Sequence, residues 1–343
     1  MAVGGEDKMD GVKLCIVGAG NLASKRIYPY IAAAGGKLVG VCDLDEEKAK
    51  LKAFLYGGSA YTDALEMVSR EKPDCIIICI GPEQHYALSK EMMRLGIPVY
   101  TEKPPAPAAA GALELARLSN ETGVLCTTAF KKRYNTVYSR AKQWLSGFDS
   151  SRYVSLSVDY CSDFYKNTTP RNEFLLDFAI HLIDVTAYLY GDAKEVFCFS
   201  KGMDAYAASI KFANGAVGSL NFNDARSFTV PTEEVEISVE GSNFMTIRNS
   251  SFWRITENGK PAEWREPSTF VSNGDSGNDT GHFAEIADFF AAVREGRTTR
   301  SNIYESYKSM VLYEAIKRSA ETGQLISVQY EKVGGVVDEP ANA

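Results

Sequence analysis

The chain has 343 residues, more than one hydrophobic core ordinarily organises, which predicts two domains. It is 45% hydrophobic and 24% charged, as globular proteins are, and its net charge of −7 argues against a general nucleic-acid or anionic-membrane binder, which needs a basic excess. The opening MAVGGEDKMDG has no apolar signal core, the longest wholly apolar run (Cys75–Ile80) is too short for a bilayer, and seven cysteines without CxxC pairing read as buried free thiols of a cytoplasmic protein.

The first part alternates strand and helix. Val12–Val17 reads as a buried strand, residues 21–34 as a helix, and Lys37–Asp43 as the next strand. The helix LDEEKAKLKAF follows, then a short strand SAYT and a helix ending near Arg70. Pro73–Ile80 is a wholly apolar strand, Glu83–Gly96 a helix with a glycine stop, and IPVYTE a further strand. The helix AAAGALELARLSNETG leads to the strand VLCTTAF. Apolar strands that alternate with helices imply a parallel sheet covered on both faces. Past Lys131 the pattern changes. A helix near Tyr134–Leu145 precedes strands of alternating polarity: RYVSLSVDY, KEVFCFSKG, YAASIKFANGAVGSLNFN and EEVEISVEGSNFMTIRN. Two hairpin turns are expected, at Ala213–Gly215 and at Asn258-Gly259. One helix, Leu176–Tyr190, interrupts the strands, and two more, Gly281–Glu295 and Asn302–Thr322, close the chain. The second half is thus an α+β unit with a predominantly antiparallel open sheet.

The stretch VGAGNLA follows the first strand at once and gives Gly18-x-Gly20-x-x-Ala23. Gly18 permits a tight turn, Gly20 lets backbone approach a pyrophosphate, and Ala23 lets helix pack on strand. The N–H groups of Asn21 and Leu22 then face an anion at a helix start. Asp43 ends the second strand, twenty-five residues after Gly18, where about twenty are expected for a carboxylate on the adenine ribose. Leu44, Asp45 and Glu46 offer no cation for a 2′-phosphate, which favours NAD over NADP. Asp43 also suits the N-cap of the next helix. The N-terminal domain therefore reads as a Rossmann dinucleotide-binding domain over residues 12–130. Residues 131–331 read as the substrate-binding and oligomerisation domain, with tails at 1–11 and 332–343 expected to be disordered.

The segment CIGPEQHYALSKEMMRLGIPVYTEKPPA resembles the strand–helix–strand region of the Gfo/Idh/MocA oxidoreductases, the family of glucose–fructose oxidoreductase and the inositol dehydrogenases. Glu102-Lys103-Pro104 matches its hallmark, and the resemblance extends through FKKRYN, DFAIHLID and AIKRSAETGQLISV. It implies Lys103 as catalytic lysine with Asp177 and His181 completing the site, and a cis Lys103–Pro104 bond; Ile80, Gly81, Pro82 and Glu102 are candidate NAD contacts, and His85 reads either as a further contact or as helix-cap packing. The residues themselves agree with this chemistry. Oxidising an alcohol needs a base for the hydroxyl proton and a cation where negative charge develops. His181 suits the first role and Lys103 the second, and Asp177, four residues before His181, lies on the same face of a helix.

Lys131, Arg133, Tyr165, Arg171 and Asn172 are the candidate substrate contacts. Many family members have Asn in place of Lys131 and a glycine-rich run in place of Arg171-Asn172-Glu173, which implies an altered pocket suited to an anionic or unusually substituted sugar. Asp184 and His282 read as structural. The function so read is hydride transfer between NAD and a secondary alcohol or ketone of a sugar, glycoside, cyclitol or sugar derivative, in a homodimer or homotetramer joined through the C-terminal sheet. Phe197, Phe199, Phe212 and Phe222 are its expected contact aromatics. The alternatives are an NAD-retaining glycosidase or lyase that works by transient oxidation, and a non-catalytic sugar- or NAD-sensing protein.

Overall fold

The structure is a computed structural model that describes residues 11–163, 173–225, 232–266 and 277–334. The first sheet contains β1 (Val12–Val17), β2 (Gly36–Cys42), β3 (Ser59–Tyr61), β4 (Cys75–Ile78), β5 (Val99–Thr101) and β6 (Cys126–Thr128). Their order is β3-β2-β1-β4-β5-β6, and every pair is parallel. The connecting helices are α1 (Asn21–Arg26), α2 (Glu46–Tyr56), α3 (Ala64–Glu71), α4 (Pro82–Arg94) and α5 (Ala109–Thr122). This is the Rossmann order, with its topological switch between β1 and β4, where such sheets open a crevice for ligands.

Alternation within the strands builds two cores. Leu14 and Ile16 of β1 face one side of the sheet with Ile27, Tyr28, Phe289 and Phe290. Cys15 and Val17 face the other side, in a core that also contains Met92, Leu115 and the inner face of the second sheet. The first helix is shorter than the expected 21–34. It stops at Arg26, and a 3₁₀ turn at Tyr28–Tyr30 follows. Pro29 explains the break, because it supplies no N–H and its ring excludes the preceding turn.

A 3₁₀ turn at Lys131–Tyr134 and α6 (Thr136–Leu145) lead into the second sheet. Its nine strands are β7 (Tyr153–Cys161), β8 (Ala193–Lys201), β9 (Ala205–Phe212), β10 (Val217–Asn223), β11 (Thr232–Val239), β12 (Asn243–Arg248), β13 (Phe252–Glu257), β14 (Lys260–Arg265) and β15 (Ile326–Ser327). Their order is β14-β13-β12-β11-β7-β10-β9-β8-β15, and only the β7–β10 pair is parallel. Both expected hairpins form. Gly215 takes a positive φ in one, and Asn258 and Gly259 both do in the other, as a type I′ turn requires. Phe212 and Phe222 are buried on the inner face, contrary to their expected place in a contact surface, while Phe197 and Phe199 occupy outward positions.

A π-helical turn at Leu175–Ala179 runs into α7 (Ile180–Tyr190). The remaining helices are the short α8 (Gly277–Thr280), then α9 (His282–Glu295) and α10 (Ile303–Thr322). α10 packs on α5, α7 and β8, and so ties the two sheets together. Val333 is buried, two residues past the domain end expected at 331. The tails 1–10 and 335–343, with Tyr165, Arg171 and Asn172, lie outside the described residues. All seven cysteines are free, and no described helix is long and apolar enough to cross a membrane.

Candidate active site

Strand register assembles the site. Cys42, Val17, Ile78, Thr101 and Thr128 are mutual partners across β2, β1, β4, β5 and β6. The residue after each therefore lies along the carboxyl edge of the sheet: Asp43, Gly18, Cys79, Glu102 and Ala129. Lys103 lies one step further, and Lys131 one step beyond that on the neighbouring strand. One chemical row thus gathers residues that are more than a hundred positions apart in sequence.

At the cofactor end, Gly18 has φ +110°, and a Cβ there would lie 2.2 Å from the Cys79 carbonyl oxygen. Only glycine lets the loop cross the end of β4 this closely. A Cβ on Gly20 would meet nothing within 4 Å, so open space stands above the start of α1. Asp43 accepts N–H bonds from Ala19 at 2.7 Å and from Asp45 at 2.9 Å, which ties the second strand to the glycine loop. The N-cap of α2 is Asp45, which accepts from the Lys48 N–H, so capping does not occupy Asp43. Gly81 precedes α4 and Pro82 opens it. His85 corrects an expectation. It is fully buried, and its Nε2 lies 2.6 Å from the Pro104 carbonyl oxygen, so it supports the turn after Lys103 instead of lining the cofactor crevice. The open space, the glycine loop and the Asp43 carboxylate at the end of β2 together fit a dinucleotide.

At the chemical end, the Lys103–Pro104 bond is cis. The Lys103 ammonium donates to the backbone carbonyl of Asp177 at 2.6 Å and lies 5.8 Å from the centre of the Phe178 ring. Asp177 sits in the π-helical turn, where a wider spiral replaces the α-helical spacing expected between it and His181. Its carboxylate accepts the Glu173 N–H at 3.3 Å. The His181 ring stands edge-on to Phe130, with centroids 6.3 Å apart, and its Nδ1 is buried without a hydrogen bond. Asp177 therefore does not hold the imidazole at Nδ1. Burial, with Lys103, Lys131 and Lys132 nearby, pushes the His181 imidazolium well below the usual histidine range, so the ring is neutral at neutral pH. Burial raises the Glu102 carboxyl, an effect that Lys103 partly offsets.

The three consecutive cations of the turn after β6 have separate fates. Lys131 is half-buried and makes no hydrogen bond or ion pair among the described residues; burial, Lys132, Arg26 and Lys103 push its ammonium down to about 8. Lys132 pairs with Glu233 at 2.5 Å. Arg133, expected to touch substrate, is instead buried in a fork on Asp184 (2.8 Å), with Glu305 at 3.3 Å and the Arg300 carbonyl at 2.8 Å. All three of its guanidinium nitrogens donate to fixed acceptors there, which makes it part of the frame. Asp184 is the structural partner that the sequence suggests, and His282 bonds Thr280 at its ring nitrogen. Glu285, which no sequence motif marks, lies buried and accepts from the Tyr100 hydroxyl at 2.8 Å. Burial drives its carboxyl well above the usual carboxylate range, an effect that the Tyr100 hydroxyl partly offsets.

Residues 12–130 match the family described as an oxidoreductase family with an NAD-binding Rossmann fold, and residues 165–329 match its C-terminal alpha/beta domain. The chain belongs to the Gfo/Idh/MocA oxidoreductase family, nicotinamide-dependent dehydrogenases and reductases that act on CH–OH groups. It is similar to D-glucoside 3-dehydrogenase of Escherichia coli strain K12, at 22% identity over 92% of this chain and 97% of that protein. It is similar at 22% identity to an inositol 2-dehydrogenase of Streptomyces avermitilis, over 92% of this chain and 94% of that one. Among solved structures, levoglucosan dehydrogenase in complex with NADH and L-sorbose shares the fold at TM-score 0.82 and 18% identity, over 94% of this chain and all of that chain (100%).

Proposed function

We propose that the protein moves a hydride between NAD and a secondary alcohol or ketone of a sugar, glycoside, cyclitol or sugar derivative. The observation that carries this reading is the Lys103 ammonium, fixed at the carboxyl edge of the sheet beside a buried, neutral imidazole. Bound NAD supplies the acceptor for the carbinol hydride. The chain's own residues handle the proton. Neutral His181 accepts it from the hydroxyl as the carbonyl forms, and the Lys103 cation stabilises the alkoxide character of that oxygen. Asp177 positions: its backbone carbonyl holds the Lys103 ammonium, and its carboxylate ties down the π-helical turn. Names of relatives such as the glucoside and inositol dehydrogenases support a carbohydrate-like substrate.

NAD is preferred over NADP in this reading. Asp43 repels a 2′-phosphate, and the nearest lysine of α2, Lys48, is already paired with Asp45 at 3.0 Å. Oligomerisation through the outward face of the nine-stranded sheet belongs to the same reading. The test is a panel of sugars, glycosides and cyclitols with NAD and with NADP, followed by absorbance of the reduced cofactor. Turnover with NAD is expected, and Lys103→Ala should lower kcat by about 10²–10⁴-fold. Near wild-type turnover by that variant would remove Lys103 from the chemistry. Aglycone release without net cofactor reduction would favour an NAD-retaining glycosidase or lyase, and tight NAD binding without turnover a sensor.

A further inference from the structure

Among the described residues, five cations packed around the site have an acceptor, whereas Lys131 and the neighbouring Arg26 have none. Lys103 donates to the Asp177 carbonyl, Lys132 to Glu233, Arg133 to Asp184, Lys142 to the Tyr188 carbonyl and Lys317 to Glu173. Lys131 is half-buried and has no hydrogen bond or ion pair among the described residues. A lysine drawn partly out of water without an acceptor is costly, so its place calls for an external one.

Three facts say where that acceptor sits. Lys131 leaves the carboxyl edge on β6, directly beside the strand that carries Lys103. Its neighbour Phe130 packs edge-on against His181, so the lysine borders the pocket of the proposed base. β6 lies three strand positions from β1, about 14 Å of sheet at the usual spacing, which separates its backbone from the glycine loop where a pyrophosphate would lie. Glu102, the carboxylate whose charge reaches Lys131, directly follows β5 and accepts from the Lys103 N–H at 3.2 Å, not from Lys131. Arg26, on α1, is near enough to add to the positive field at Lys131.

We infer that the substrate carries a carboxylate, as a uronate, aldonate or acidic glycoside does, and that Lys131 is the residue that receives it. This inference rests on the dehydrogenase reading and narrows its substrate class. An ammonium–carboxylate hydrogen bond formed away from bulk water both anchors the substrate and gives the Lys131 ammonium a direct acceptor. It also sets orientation. With the acid group on Lys131, a carbinol elsewhere on the ring is turned toward Lys103 and His181.

The experiment titrates the NADH-loaded protein with matched pairs: D-glucuronate and D-glucose, D-galacturonate and D-galactose, D-gluconate and D-glucitol. Quenching of NADH fluorescence reads the binding. At least one acid should bind about tenfold or more tightly than its neutral partner. Lys131→Met should abolish that preference and Lys131→Arg should keep it, with NADH binding by each variant reporting that it is folded. Equal or tighter binding of the neutral partners throughout overturns the inference, as does no acid binding at all, or a preference that survives Lys131→Met. The parent reading is judged apart from this: oxidation of a neutral sugar by NAD, with no acid bound, leaves the dehydrogenase standing and removes the carboxylate.

Discussion

Burial and three neighbouring cations hold His181 neutral well below the usual histidine range. That has a consequence in solution. An unperturbed imidazole loses half its capacity as a base near pH 6.5, whereas this one keeps it as the pH falls further. The sign follows from the lowered pKa: the protonated form that would stop catalysis appears only in more acid solution. The acid limb of kcat/KM should therefore fall clearly below pH 6.5. His181→Gln should lower kcat by about 10²–10⁴-fold and remove that limb. A limb at or above 6.5 that persists in the variant would take the base role from His181.

Elements decide what such residues can do, and here the sequence was informative in some places and mute in others. The parallel sheet, the glycine loop and Asp43 were legible because strand period and glycine spacing are local signals. So was the Lys103 turn, because two prolines follow it at once. The fates of Lys131, Lys132 and Arg133 were not, because a 3₁₀ turn aims successive side chains in different directions and the partners lie 101 and 51 residues away. The Asp177–His181 pairing was drawn on an α-helix, and a π-helical turn displaced it. Arg133 makes this element testable. Arg133→Met leaves Asp184 buried with Ser309, at 2.7 Å, as its one remaining side-chain donor among the described residues, and losing one partner of a buried pair costs about 3–5 kcal/mol. Denaturant melts should show a loss of that size. A loss under about 1 kcal/mol, the range of exposed pairs, would mean the fork carries no structural weight.

At the scale of the molecule, the nine-stranded sheet has one face in the core and one outward. Leu156, Val158, Leu220 and Ile237 fill the inner face. The outer face has small polar residues at its centre, Ser155, Ser157, Ser209 and Ser219, which line a shallow groove of about 440 Å³ with Phe197, Val217 and Leu325. Phe199 is 69% exposed, Val217 54%, Leu325 61% and Trp264 68%, so the apolar rim around that centre is open to water. Small residues let a second sheet approach closely, and an exposed apolar rim gains from being covered. A face built this way suits a second copy of the chain better than solvent. Sedimentation or light scattering should give two or four times the chain mass. Phe199→Glu with Val217→Lys, which places charge on the rim and leaves the inner core untouched, should shift the protein toward the monomer while far-ultraviolet dichroism stays unchanged. A wild-type protein that is monomeric at micromolar concentration would leave this face without a partner and remove the oligomer from the reading, while the site at the carboxyl edge of the first sheet, built within one chain, would stand.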